Sequence, residues 1–155
     1  MARPYGLLRA GFPYLKTLGM RRVTDFPVDI AIGEEQRVYV LLRSEGAAVI
    51  RVWSFDDAEK FTGDLVGIGG YGKEDDQFTW PVAVIADGEE NLFVSDEALH
   101  RISSFSKDGE FLGKWGEQGE GDGQLNGPSG IAFDSEENIY VVDTLNHRVQ
   151  KFTRD

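Results

Sequence analysis

The stretch Gly67-Ile68-Gly69-Gly70-Tyr71-Gly72 sets glycines at the spacing G-x-G-x-x-G, directly after the apolar pair Leu65-Val66. After a strand, that spacing can cradle a pyrophosphate, because glycine lets the backbone approach the phosphates and a following helix offers its N-terminus. An acidic residue about 20 positions on would complete a dinucleotide fingerprint, and Asp87 stands there. The continuation, Lys73-Glu74-Asp75-Asp76-Gln77-Phe78-Thr79-Trp80-Pro81, is acidic and stopped by proline. No helix is expected to follow the glycines, so nothing would hold the phosphates.

Other reactive side chains are equally short of a constellation. His100 and His147 are the two histidines, with no cysteine and no H-E-x-x-H spacing beside them, so neither a metal nor a cofactor is expected. The acidic loops 72–78 and 116–125 lack the alternating D-x-[DN]-x-[DN]-G order of a calcium loop. Ser103, Ser104, Ser106 and Ser129 lie in no G-x-S-x-G elbow. No catalytic residue is expected.

The elements that carry these residues repeat. Residues 62–108 lie on 109–155 at an offset of 47 without a gap, and 16 of the 47 pairs are identical. Gly69 falls on Gly116, Gly72 on Gly119, Pro81 on Pro128, Asp87 on Asp134, and Glu89-Glu90-Asn91 on Glu136-Glu137-Asn138. A weaker third copy, residues 27–40, lies on 81–94 at an offset of 54, with seven extra residues between Arg43 and Phe61. Upstream, residues 14–19 (YLKTLG) resemble 111–116 (FLGKWG).

Each unit reads as short strands: GIAFD (130–134), NIYVVD (138–143), HRVQKF (147–152) and EFLGKW (110–115), separated by turn residues. No window shows a helical i, i+3, i+4, i+7 pattern, so helix content is expected near zero. Four short strands in about 47 residues, repeated, describe the blade of a β-propeller. One blade cannot bury both its faces, and stacking blades around an axis buries them against one another. The units divide as residues 1–25, an N-terminal segment with a lone outer-type strand (14–19); 26–78, a divergent first blade; 79–125, a second; and 126–155, a third without its outer strand. A terminal strand of this kind can pair with the last blade of a ring and remove a free sheet edge.

The repeat also sorts the candidate sites. Asp96 and Arg101 recur as Asp143 and Arg148. A catalytic group is needed once, so recurrence points to structural ion pairs across the turn between second and third strands. Asp87, repeated as Asp134, reads as a turn residue. Tyr71 and Trp80 differ, because their repeat partners are Gln118 and Gly127. Large aromatics that the repeat does not require, on loops between blades, are binding candidates. Leu99, Leu145 and Asn146, on the loops between second and third strands, are expected to reach the same face.

Composition bounds the partners. The 155 residues carry a net charge of −11, with 41% hydrophobic and 28% charged residues, as in a globular chain. Residues 1–25 are basic, with a balance of +4, and residues 26–155 sum to −15. An acidic body repels phosphate backbones, which argues against nucleic acid, RNA included. No apolar run approaches the ~20 residues of a membrane helix, and the start lacks the apolar region of a signal peptide. A soluble chain, cytoplasmic by default and with no membrane partner, is the expectation.

Residues 123–152 (GQLNGPSGIAFDSEENIYVVDTLNHRVQKF) resemble the NHL repeat: Gly-Gln-apolar, Pro-x-Gly-Ile-Ala-x-Asp, Asn-Ile-Tyr-Val-x-Asp, then Asn-His-Arg-Val-Gln-x-Phe. Residues 76–105 match moderately, with Ala83 replacing a glycine. Residues 26–53 match poorly, with Leu42 in place of the aspartate. The resemblance implies an all-β propeller of four-stranded antiparallel blades, usually six, of which this chain would supply about three. Closing the ring would then take further blades or a second copy. It also implies a non-catalytic platform for a protein or small-molecule ligand. A related alternative is a piece of a six-bladed lyase or lactone hydrolase with a metal in the central channel.

Overall fold

A computed structural model describes residues 26–44, 48–54 and 67–154. The basic N-terminal segment, the strand expected at 14–19 and most of the insertion after Arg43 lie outside the described residues. Ten strands follow in order: β1 (Pro27–Ile32), β2 (Arg37–Leu42), β3 (Val49–Ser54), β4 (Pro81–Ala86), β5 (Leu92–Asp96), β6 (Arg101–Phe105), β7 (Phe111–Trp115), β8 (Pro128–Phe133), β9 (Ile139–Asp143) and β10 (Arg148–Phe152). Among the described residues the helical content is a single 3-10 turn at Thr144–Asn146, as the missing helical periodicity predicts. None of their helices is long and apolar enough to cross a membrane.

The strands form three antiparallel meanders: β1-β2-β3, β4-β5-β6-β7 and β8-β9-β10. In the first sheet a single bridge between Ile50 and Ile68 occupies the place of a fourth strand. The three proline-led strands shift register after their proline, between Pro27 and Asp29, between Pro81 and Ala83, and between Pro128 and Ile131. Proline has no N–H for the ladder and is tolerated where a strand starts or bulges. The turns before the second strands repeat as well. Asp87 Oδ1 accepts the N–H of Glu89 and Asn91 at 2.9 and 2.8 Å, and Asp134 Oδ1 accepts those of Glu136 and Asn138, both at 2.9 Å. Each turn then places a glutamate, Glu90 or Glu137, in the left-handed region at φ 61°.

The core lies between the sheets. Tyr39, Leu41 and Ile50 of the first sheet pack against Val84, Leu92, Val94 and Phe105 of the second. Ile102 of the second packs with Leu125, on the loop between β7 and β8, and with Ile139 and Val141 of the third sheet, the partly buried Phe93, Phe133 and Phe152 joining them. Burying an apolar side chain of this size contributes roughly 1.5–3 kcal/mol. The sheets therefore hold one another through their faces, and the loops at their ends are free to vary.

Candidate functional site

Two buried aspartates organise the loops at one end of the sheets. Asp96 closes β5 and is fully buried. Its carboxylate accepts the N–H of Thr79 at 2.7 Å, Trp80 at 3.1 Å, and Ala98 and Leu99 at 3.0 Å. It thereby ties the strand-entry loop to the loop between β5 and β6. Asp143, the repeat equivalent, takes Asn126 N–H at 2.6 Å but otherwise side chains: Asn146 Nδ2 at 2.9 Å, Arg148 Nε at 2.8 Å and Gln150 Nε2 at 3.1 Å. Burial pushes the Asp143 carboxyl up, but these hydrogen bonds and the Arg148 charge outweigh it and hold the group below the ordinary value.

The two expected ion pairs differ in the structure. Asp143 and Arg148 pair at 2.8 Å. Asp96 and Arg101 face each other in the ladder but form no ion pair. Arg101 is buried, and its guanidinium donates to the carbonyls of Glu74 at 2.6 Å, Gln77 at 2.9 Å, Asp75 at 3.4 Å and Lys73 at 3.5 Å. The aspartate is held by backbone donors and the two Nη atoms of the arginine by backbone acceptors, while the buried Arg101 Nε has no partner.

The glycines at 67–72 belong to this same architecture. Tyr71 bridges Phe78 and Gln118 bridges Leu125 in the next unit. Gly69 (φ 83°) and Gly116 (φ 92°) cross over the buried Phe78 ring and Leu125 side chain, where a Cβ would collide. The loop therefore needs glycine for packing. It is followed by Lys73–Gln77, wrapped around Arg101, and no helix.

The binding candidates lie on this loop end. Trp80 is 44% exposed with the Arg43 guanidinium 4.5 Å from its ring centroid. Tyr71 is 49% exposed and Leu145 57%. Leu99 is half-buried. Leu145 overhangs Gly127, where a Cβ would touch both its side chain and that of Glu97. Asn146 is committed: it donates to Gly119 O at 2.8 Å and to Asp143, so it braces the loop. The histidines have the left-handed turn positions, φ 53° and 55°. His100 Nδ1 accepts Gly127 N–H at 3.1 Å, which ties the second unit to the third, while His147 is exposed. Among the described residues no three His, Cys, Asp or Glu side chains gather as a metal site.

The opposite end holds features that sequence reasoning passed over. Glu90 is 7% exposed and reaches into the first sheet, accepting Tyr39 OH at 2.6 Å, Glu34 N–H at 3.0 Å and Arg37 Nη1 at 3.2 Å. Burial pushes the Glu90 carboxyl up, but these partners outweigh it and leave it below the ordinary value. Tyr39 is pushed up to about 12, chiefly by its burial. Between the second and third sheets the same position holds Phe93, which cannot hydrogen-bond. There Glu137 instead meets Gly88 N–H at 3.4 Å and pairs with Arg154. A cavity of about 260 Å³ opens at this junction, lined by Phe93, Trp115, Phe133, Ile139 and Phe152. Asp87, Glu137 and Arg154 also line it. The repeated Glu90/Glu137 was a visible signal, but a glutamate in a polar turn reads as solvated until its neighbour sheet is known.

Comparison with known proteins bears on the fold. The family model of the NHL repeat matches residues 125–152. No curated protein sequence matches the chain. Among solved structures, a streptogramin B lyase superposes with a TM-score of 0.63 at 16% identity, over 92% of this chain and 42% of that one. A virginiamycin B lyase from Staphylococcus aureus gives 0.60 at 15%, over 89% and 41%. A gluconolactonase from Xanthomonas campestris gives 0.51 at 18%, over 77% and 35%. The chain spans less than half the length of these proteins, and at such identities the likeness is one of fold. Residues 125–152 are an NHL repeat, and the chain is an all-β, β-propeller-type protein of antiparallel sheets.

Proposed function

We propose that the chain is a binding platform whose contact surface is the loop end carrying Trp80, Tyr71, Leu99 and Leu145. The observation that supports this most is Trp80. A large exposed aromatic sits on a loop whose N–H groups are clamped by the fully buried Asp96. Surface and rigidity usually exclude one another on a loop, and where they coincide a ligand loses little freedom by docking. The occupant is a protein segment or small molecule with an apolar group to lay beside Trp80 and Leu145.

An enzymatic reading, suggested by the lyase and lactonase likeness in fold, finds less support at this end. His100 uses Nδ1 on Gly127 N–H, and Asp96 and Arg101 are spent on backbone groups. A phage-displayed peptide library selected on the chain tests the binding reading. Peptides recovered should lose at least about tenfold in affinity on Trp80→Ala, in keeping with a central aromatic contact. Peptides indifferent to Trp80→Ala and Leu145→Asp, but sensitive to Arg154→Ala at the opposite end, would overturn it.

A further inference from the structure

At both joints between sheets, the residue just after the second strand reaches the residue that enters the next sheet. At offsets of 54 and 47 residues, Arg43 of the first unit corresponds to Glu97 of the second and Thr144 of the third. Trp80, which precedes β4, corresponds to Phe26 before β1 and Gly127 before β8. At the first joint the Arg43 guanidinium lies 4.5 Å from the Trp80 ring centroid. At the second, Glu97 stands beside Gly127, where a Cβ would meet Glu97 Cγ at 3.6 Å and Leu145 Cγ at 3.1 Å. That joint closes with neither ring nor cation, so the architecture does not require the Arg43–Trp80 pair. The pair occurs once among equivalent positions, as expected of groups that serve a ligand and not the repeat.

Arg43 is also short of an acceptor. The guanidinium groups of Arg37, Arg101, Arg148 and Arg154 donate to carboxylates, a phenol or carbonyls of the fold. Among the described residues that of Arg43 donates to none, and its nitrogens reach solvent. Arg51 likewise has no acceptor, but no ring lies against it. A guanidinium held on an aromatic face keeps its N–H fork in its own plane, preorganised for the two oxygens of a carboxylate. The ring beneath it is fixed in turn. Asp96 accepts the Trp80 N–H at 3.1 Å, and Trp80 O accepts the Glu97 N–H at 3.0 Å. Ring and cation therefore lose little freedom when an acceptor docks.

The surrounding charge limits what that acceptor can be. Glu97 is exposed beside Trp80, Glu74 and Asp76 are exposed in the loop before it, and residues 26–155 sum to −15. A polyanion would meet this repulsion along its length for one contact with Arg43, whereas a lone carboxylate meets it once and fills the fork. A cationic group would find Arg43 already on the ring. We infer that Arg43 and Trp80 recognise a single carboxylate next to an apolar side chain, at the C-terminus of a peptide or in an acidic residue, a reading that rests on the binding surface proposed for this chain and names the chemistry of its occupant. The carboxylate lies in the Arg43 fork, and the apolar group lies on the exposed part of Trp80.

Magnetic-resonance titration of the isotope-labelled chain tests this, read at the Trp80 indole and Arg43 Nε–H signals. N-acetyl-leucine carries a terminal carboxylate, N-acetyl-leucyl-glutamamide carries it on a side chain, N-acetyl-leucinamide is the neutral match, and leucinamide is the cation. Both carboxylate probes are expected to shift the two signals, and the better of them to bind at least about tenfold more tightly than N-acetyl-leucinamide, in keeping with a charge-assisted pair. Which of the two binds better identifies the source of the carboxylate, and either result supports the inference. Arg43→Gln should remove the advantage and Arg43→Lys restore part of it, with the amide signals of the sheets in place. Equal binding of N-acetyl-leucinamide at Trp80 would overturn the carboxylate and leave the binding surface standing. A preference for leucinamide, an advantage that survives Arg43→Gln, or silence at Trp80 with every probe would overturn it too. Failure of the peptide selection to return Trp80-dependent binders would instead remove the surface itself.

Discussion

Asp96 and Asp143 stand 47 residues apart, at the same place in two sheets, and both are fully buried. Their surroundings differ in kind. Asp96 is held by four backbone N–H groups, whereas Asp143 has one backbone donor and three side-chain donors. In the second unit the loop chain itself folds around the carboxylate. In the third, long side chains reach in from β10 and the 3-10 turn. The repeat therefore preserves a buried negative charge while the groups that neutralise it change.

The largest effect is expected from Asp96→Ala. Its four backbone donors cannot leave, and an unmatched buried donor costs about 1–3 kcal/mol, so the loss should exceed about 3 kcal/mol in urea unfolding. Asp143→Ala should cost about 2 kcal/mol, because Arg148 and its neighbours can turn to water. Equal losses would erase the distinction drawn between the two sites.

The arginines sharpen the comparison at smaller scale. Arg101→Met strips the carbonyls of residues 73–77 and is expected to cost about 2 kcal/mol, with faster amide exchange at Gly72 and Phe78, whose N–H groups close that loop. Arg148→Met should cost about 1 kcal/mol, since that side chain is already 28% exposed. Exchange left unchanged in Arg101→Met would show that the loop does not depend on the guanidinium.

The smallest effect is in pH dependence. Asp143 and Glu90 both have carboxyls held below their ordinary values of 3.8 and 4.5. A depressed carboxyl contributes stability above the unfolded value and loses it as pH falls through the folded one. Stability should thus decline below about pH 4.5, and Glu90→Gln should flatten the upper part of that decline at a cost of about 1 kcal/mol at neutral pH. Asp143→Asn should flatten the lower part. A variant with the wild-type slope would show that its carboxyl is not coupled to folding.

The fold was legible because a register of 47 residues constrains many positions at once, and turn residues, apolar alternation and glycines all recur within it. The loop-end aromatics were legible for the opposite reason, since Trp80 and Tyr71 break the repeat. Arg101 was misread because a sequence displays potential charge partners but not carbonyls: the loop 73–77 that satisfies it offers only backbone. Glu90 was missed because its partners, Tyr39 and Arg37, belong to another sheet 51 and 53 residues away. The exposure of Tyr140, Val142 and Val149 could be recognised only after their covered equivalents in the other sheets had been seen.

The reach of Glu90 and Glu137 back to the preceding turn has a consequence for how such a chain can grow. Part of the fastening is encoded in the later unit: in both joints the glutamate grips a backbone N–H, at Glu34 or Gly88, that needs no particular side chain, and only the first joint adds side-chain donors, Tyr39 and Arg37, from the earlier sheet. Duplicating one stretch of gene therefore copies the hook together with the sheet, and the ancestor supplies the eye without having to change. A chain of this design can lengthen in a single mutational event and hold its new segment from the first generation, while later substitutions, such as Phe93 where Tyr39 stands, differentiate one joint from the next.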